Sequence, residues 1–269
     1  MIPPTIREEI LRRIRAAETE HDVRVLLAIE SGSRAWGFES PNSDYDARFI
    51  YIHRQDWYLS VGLEDKRDVI EYPIVDDIDL NGWDLRKALR LFSKSNPAFV
   101  EWIQSPIIYS KLGSFADQSC ALLPKIYSCE RGVHHYRSMA KTNFRGYLKT
   151  DLVPLKKYFY VLRPLLSVRW IERYGNAAPI EFAKLLHLIE DQPDLIADIE
   201  SLLARKRAAP EMGRAPPVAS INAFIENELE RLEAYASAKT KREDIVATLD
   251  QVFHTCLREV WSTTVSTSE

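Results

Sequence analysis

The chain has 269 residues, 46% of them hydrophobic, with 36 Lys and Arg set against 39 Asp and Glu for a formal net charge of -3. That length suits one large domain or two ordinary ones, and the charge balance supplies no global reason to bind nucleic acid, although a local basic patch stays open. Cys120, Cys129 and Cys256 are too few and too scattered for a disulfide framework or a CxxC knuckle, and the adjacent His134 and His135 diverge on a helix, so no structural zinc is expected.

The N-terminal segment is too charged for a signal peptide. Thr5 can cap a helix in which Ile6, Ile10, Leu11 and Ile14 recur at helical spacing. The period then changes: residues 23–29 (VRVLLAI) form a β-rich apolar run, as in a buried strand, and stop at the polar turn Glu30-Ser31-Gly32-Ser33-Arg34. Residues 46–52 read as a second strand and 68–74 and 76–80 as two more, with Pro73 marking an edge or bend. After Asn81-Gly82 the pattern turns helical; Asp84 caps 85–92, and Pro97 opens a short helix ending near Trp102. From about Gly113 onward only helices are expected, among them a Tyr/Arg/Lys-rich stretch over 130–174 and an amphipathic one over 221–235, with a Pro- and Ala-rich linker at 206–218. No apolar run approaches the ~20 residues that span a bilayer, so a cytoplasmic protein is expected. The layout is a small α/β domain over 1–110 followed by a helical domain over 111–269.

The chemistry concentrates where the first strand ends. Gly32 lets the backbone turn sharply and approach a ligand closely, and Ser33 adds a hydroxyl where free backbone N–H groups suit a phosphate. Asp44 and Asp46 stand at i and i+2, so on a strand both point to one face. Two such charges repel unless a cation bridges them, and hard carboxylate oxygens favour Mg²⁺, with Mn²⁺ as a substitute. A third carboxylate on a neighbouring strand would complete a two-metal site; Asp79 is the choice and Asp77 the reserve.

In this order and spacing, Gly32-Ser33 followed by Asp44-Tyr45-Asp46 resembles the signature of DNA polymerase beta-like nucleotidyltransferases. The segments SGSRAWGFESPNSDYDARFIY, DLNGWDLRKALRLFSKSNPAFVEWIQSPIIY and LKKYFYVLRPLLSVRWI are similar, more narrowly, to the RNA-repair-associated (YcgL/RlaP-like) group. The resemblance covers most of residues 25–175. It implies a mixed-sheet palm with a helical partner domain, a nucleoside triphosphate substrate and Mg²⁺. Gly32 and Ser33 would bind the triphosphate, Asp44 and Asp46 both metals, and Asp79 the catalytic metal and the acceptor hydroxyl. Residue 47 departs from the pattern, Ala standing where a bulkier apolar residue is usual.

The implied reaction is in-line attack of an acceptor hydroxyl on the α-phosphorus with release of pyrophosphate. Lys156, Lys157, Tyr160 and Arg163 are nucleotide-binding candidates, since 156, 160 and 163 share one helix face; that face can equally be a solvated one over a core helix. Arg34 and Arg48 either touch phosphate or balance the carboxylates, and for Arg48 the second is favoured. Trp36, Trp83 and Trp102 are assigned to packing. The basic stripe Lys141, Arg145 and Lys149 could track RNA, but solvated surface is the more ordinary role. RNA is the expected acceptor; a protein or small-molecule acceptor, or an inactive nucleotide- or RNA-binding module, are the alternatives. Sequence leaves the base preference, templating and oligomeric state open.

Overall fold

The protein is represented by a computed structural model that describes residues 2–208, 213–233 and 245–261. Helix α1 (Pro4–His21) starts on a proline at its first position rather than on a Thr5 cap; there the missing N–H costs nothing. In chain order follow β1 (Arg24–Glu30), a one-turn α2 (Gly32–Ala35), β2 (Tyr45–Ile52), a short α3 (Gln55–Tyr58), β3 (Val69–Glu71) and β4 (Ile78–Asp84). Then come α4 (Leu85–Ser93), α5 (Pro97–Ile103), β5 (Ile108–Lys111), α6 (Phe115–Ile126) and α7 (Cys129–Tyr147). The remainder is β6 (Val153–Pro154), α8 (Phe159–Tyr174), α9 (Pro193–Ala208), β7 (Arg214–Ala215), α10 (Ala219–Glu233) and α11 (Val246–Trp261). The expected 206–218 linker and the end of the 221–235 helix fall partly outside the described residues.

The fold is mixed α/β, as expected, around a five-stranded mixed sheet of order β3-β4-β2-β1-β5. β2 runs parallel to β4, and the other pairs are antiparallel. β4 continues through Asn81-Gly82, after which the sequence pattern predicts helix. Gly82 is there for packing: a Cβ on it would stand 2.2 Å from the ring of Phe49, its register neighbour on β2. The strand ends at Asp84, whose carboxylate caps α4 by accepting from Arg86 N at 2.8 Å. β5 was not foreseen; its four residues are too short to declare a period against the helical background. The long 130–174 stretch is two helices, α7 and α8, and the β6–β7 pair joins the link between them to the chain beyond α9.

One face of the sheet buries Ala28, Ala47, Phe49, Tyr51, Ile78 and Leu80 under Ile10, Ile14 and Ala17 of α1. The opposite face sets Leu27, Ile29, Ile50 and Ile52 against α4, α5, α6 and α11. This second core therefore takes helices from both sides of the expected boundary near residue 110. A third core unites α7 to α10 and takes in Phe38 from the loop after α2. Among the described residues no helix is long and apolar enough to cross a membrane.

Candidate active site

The parallel pairing of β2 and β4 sets Asp46 directly beside Asp79. Register partners in adjacent strands point to the same face, so the two carboxylates are neighbours. Arg48, two residues along on that face, bridges them: its Nη2 lies 3.1 Å from Asp46 Oδ1 and 2.6 Å from Asp79 Oδ2. Its Nη1 donates to the Asp79 carbonyl at 2.7 Å. Asn81, opposite Arg48 in the register, donates its amide to Asp79 Oδ1. Both Asp79 oxygens are thus engaged. The side chains of Asp46, Asp79 and Arg48 keep 28%, 20% and 16% of their exposure, so the cluster is sheltered yet open to a solute.

The two other acidic candidates lie outside the strands. Asp44 immediately precedes β2 and is exposed. Asp77 is exposed, has a left-handed φ of 59°, and contributes its carbonyl to Tyr45 N at 2.7 Å. Of the pair weighed from sequence, Asp79 is the one beside Asp46. Burial is the largest cause raising the Asp46 carboxyl pKa; Arg48 opposes it, and Asp79 and Asp44 add to it.

The Gly-Ser turn closes on this pair. Ser31 N donates to Asp46 O at 2.9 Å, and Gly32 has φ +59°. A Cβ on Gly32 would stand 2.0 Å from Asp46 Oδ2, so only glycine admits this contact. Ser33 follows in α2, half-buried. Arg34 turns back over the loop before β2, donating to Ser43 O at 2.6 Å and lying 4.0 Å from the Tyr45 ring. Beneath the turn, Glu30 is fully buried. Its Oε1 accepts from Asp46 N at 3.1 Å and its Oε2 from the Tyr109 hydroxyl at 2.6 Å. Burial pushes this carboxyl up to about 7 against those two hydrogen bonds. Glu30 and Asn81 were missed from sequence. The available signals were a charge closing an apolar strand and an amide two residues from Asp79.

On the helical side, burial raises the pKa of the Tyr160 phenol, and the charges of Asp46 and Asp44 raise it further. Its ring meets Trp36 edge-on at 5.8 Å. Lys157 Nζ lies 4.1 Å from the Tyr147 ring and 4.8 Å from that of Tyr160. Lys156 is exposed, and both lysines sit in a 3-10 turn (Leu155–Tyr158) before α8, so the expected single α-helical face is not formed. Arg163 requires a correction. It is 2% exposed, and its guanidinium bonds Glu101 at 2.9 Å and Ile180 O at 3.1 Å under the Trp36 ring. Those contacts, rather than phosphate, occupy it. Lys141 and Lys149 pair with Glu233 and Glu226 of α10 at 2.8 and 2.6 Å. Trp83 and Trp102 stack at 3.7 Å, as packing residues do.

Among the described residues no group of three His, Cys, Asp or Glu side chains is arranged to hold a metal ion. The donor type nevertheless fits a hard divalent cation: two adjoining carboxylates, with Asp44 near enough to act on Asp46, against the single bridging charge of Arg48. Arg48 holds one oxygen of each carboxylate, so a cation bridging the pair would meet its charge.

Residues 6–255 match the model of the RNA repair pathway DNA polymerase beta family. The chain is 42% identical over 257 residues to the uncharacterized protein YcgL of Bacillus subtilis (strain 168), covering 95% of this chain and 98% of that one. Among solved structures, it is similar to a nucleotidyltransferase-like protein from Exiguobacterium sibiricum 255-15, at 14% identity over 92% of this chain and 87% of the other, with a TM-score of 0.32. The match along nearly the whole sequence, together with the identity to YcgL, places this chain in the RNA repair pathway DNA polymerase beta family, whose members are polymerase beta-like nucleotidyltransferases.

Proposed function

We propose that this protein transfers a nucleoside monophosphate from a nucleoside triphosphate to an acceptor hydroxyl on RNA, releasing pyrophosphate. The observation that carries the reading is the Asp46–Asp79 register pair lying against the Gly32 turn. Asp44, Asp46 and Asp79 would hold Mg²⁺, or Mn²⁺ in its place. When bound, the cation neutralises charge on the triphosphate and acidifies the acceptor hydroxyl.

The protein's own residues do the positioning. The Gly32-Ser33 turn offers backbone N–H groups to a phosphate, and glycine at 32 lets the chain approach the carboxylates. Lys156 and Lys157 balance the triphosphate, and Tyr160 with Trp36 forms the wall beside it. Asp79, aimed by Asn81, takes the proton from the attacking hydroxyl. The acceptor oxygen forms a bond to the α-phosphorus as the α–β bridging P–O bond breaks, and no covalent enzyme intermediate is needed. Arg163 acts behind the wall, holding Trp36 from beneath.

The test is incubation with α-labelled nucleotides, Mg²⁺ and an RNA bearing a free 3′ hydroxyl. Label should enter the RNA with stoichiometric pyrophosphate, and Asp46→Asn and Asp79→Asn should each lower the rate at least about 100-fold. Full activity in either variant would overturn the assignment. One observation favours a second reading for the acceptor alone: α10 carboxylates neutralise Lys141 and Lys149, weakening the stripe that suggested RNA. Label entering a protein or small molecule and never RNA would establish that alternative.

A further inference from the structure

Arg48 holds together two carboxylates that would otherwise repel. Its guanidinium makes four hydrogen bonds, to Asp46 Oδ1, Asp79 Oδ2 and the carbonyls of Ala47 and Asp79. Asn81 donates to the other Asp79 oxygen, so both oxygens of that carboxylate already accept one hydrogen bond. A divalent cation bridging Asp46 and Asp79 would stand where the Arg48 guanidinium now bridges them and would meet its positive charge at close range, so the two cations compete. Arginine cannot withdraw by losing its proton. A guanidinium parted from its carboxylates within a sheltered cluster costs free energy until it finds another anion. The anion this reaction brings is the triphosphate itself.

Resting on the nucleotidyltransferase reading, we propose that Arg48 is a built-in counter-ion that keeps the carboxylate pair closed to metal alone. The incoming triphosphate draws it away, so metal and nucleotide bind cooperatively. Arg34 does not bridge the pair: its hydrogen bonds run to the Ser43 and Asp44 carbonyls, its Nε lies 3.8 Å from the Glu30 carboxylate, its guanidinium rests on the Tyr45 ring, and it acts on Asp46 by charge alone. The coupling is reciprocal, so Mn²⁺ tightens nucleotide binding by the same factor as nucleotide tightens Mn²⁺. The device limits idle occupation of the site by metal and ties assembly of the reactive arrangement to the arrival of substrate.

The experiment measures Mn²⁺ binding by electron paramagnetic resonance, with and without α,β-methylene-ATP, for the wild type, Arg48→Ala and Arg48→Met. The wild type should bind Mn²⁺ weakly alone and about tenfold or more tightly with nucleotide. Both variants should bind Mn²⁺ alone about tenfold more tightly than the wild type and gain little from nucleotide. Variants that bind Mn²⁺ alone no better than the wild type overturn the proposal, since Arg48 then organises the carboxylates or merely supports the fold. Thermal melts accompany the binding data. If both neutral variants are unfolded without metal, Arg48→Lys decides: one ammonium cannot reproduce the four bonds, so its Mn²⁺ affinity should exceed the wild type's, and equality overturns the proposal. A wild type that binds nucleotide and Mn²⁺ without cooperativity defeats the counter-ion role and leaves the nucleotidyltransferase reading standing. Absence of any binding, even of the two together, defeats both.

Discussion

Gly32 is the residue where geometry leaves least freedom. Its φ of +59° and the 2.0 Å separation that a Cβ would have from Asp46 Oδ2 act together. Gly32→Ala is expected to cost about 1–3 kcal/mol in urea unfolding and to lower nucleotide transfer at least about 100-fold. Unchanged turnover would mean that Asp46 need not lie against the turn. Glycine, serine and the spaced aspartates were legible in the sequence because phosphate and metal chemistry demand those residue types at short spacing. Arg48 was legible as a balancing charge, whereas its grip on Asp79 depends on a parallel register between segments 31 residues apart. Arg163 misled because an arginine on a helix carries no mark of which face is buried; its partner Glu101 lies 62 residues away.

At the level of elements, Asp84 ends β4 and starts α4. Its carboxylate accepts from Arg86 N at 2.8 Å and from the Tyr58 hydroxyl at 2.6 Å. Asp84→Ala should destabilise by about 1–2 kcal/mol for the lost cap, with a further cost from the orphaned hydroxyl. Chemical unfolding measures it, and a change within error would show the cap to be dispensable. The strand's continuation through Asn81-Gly82 escaped sequence reading because glycine usually marks a turn; here it makes room for Phe49.

The segment between β2 and β3 carries a pH dependence. His53 stacks on Trp57 at 4.0 Å, and burial lowers its pKa to about 4, with Lys66 and His21 adding to the effect. Above the ordinary histidine pKa the ring is neutral in both folded and unfolded chains. As pH falls below about 6.5, only the unfolded chain gains the proton, so stability declines until the folded ring titrates near 4. His53→Phe should flatten this decline by roughly 1–3 kcal/mol between pH 7 and pH 4. An unaltered slope in unfolding free energy would contradict it.

Across the whole molecule, the sheet and the helical core meet at a buried joint. Glu101 of α5 accepts from Trp36 Nε1 at 3.1 Å and from Arg163 of α8 at 2.9 Å, so one carboxylate ties the loop after the Gly-Ser turn to both sides. Removing Arg163 leaves that carboxylate buried without its cation, and Arg163→Ala should cost about 3–5 kcal/mol. A melting temperature equal to the wild type's would refute the joint. That most strands come before residue 85 and mainly helices after it was legible from the change of hydrophobic period. That α11 returns to pack against α4 and α6 was not, because an amphipathic helix does not name the surface it covers.

Anomalous diffraction from a crystal containing Mn²⁺ and α,β-methylene-ATP tests the central claim most directly. The expected result is Mn²⁺ at coordination distance from Asp46 and Asp79, the triphosphate against Gly32 and Ser33, and Arg48 turned from carboxylate to phosphate. Nucleotide and Mn²⁺ bound elsewhere, with Arg48 still bridging Asp46 and Asp79, would contradict it.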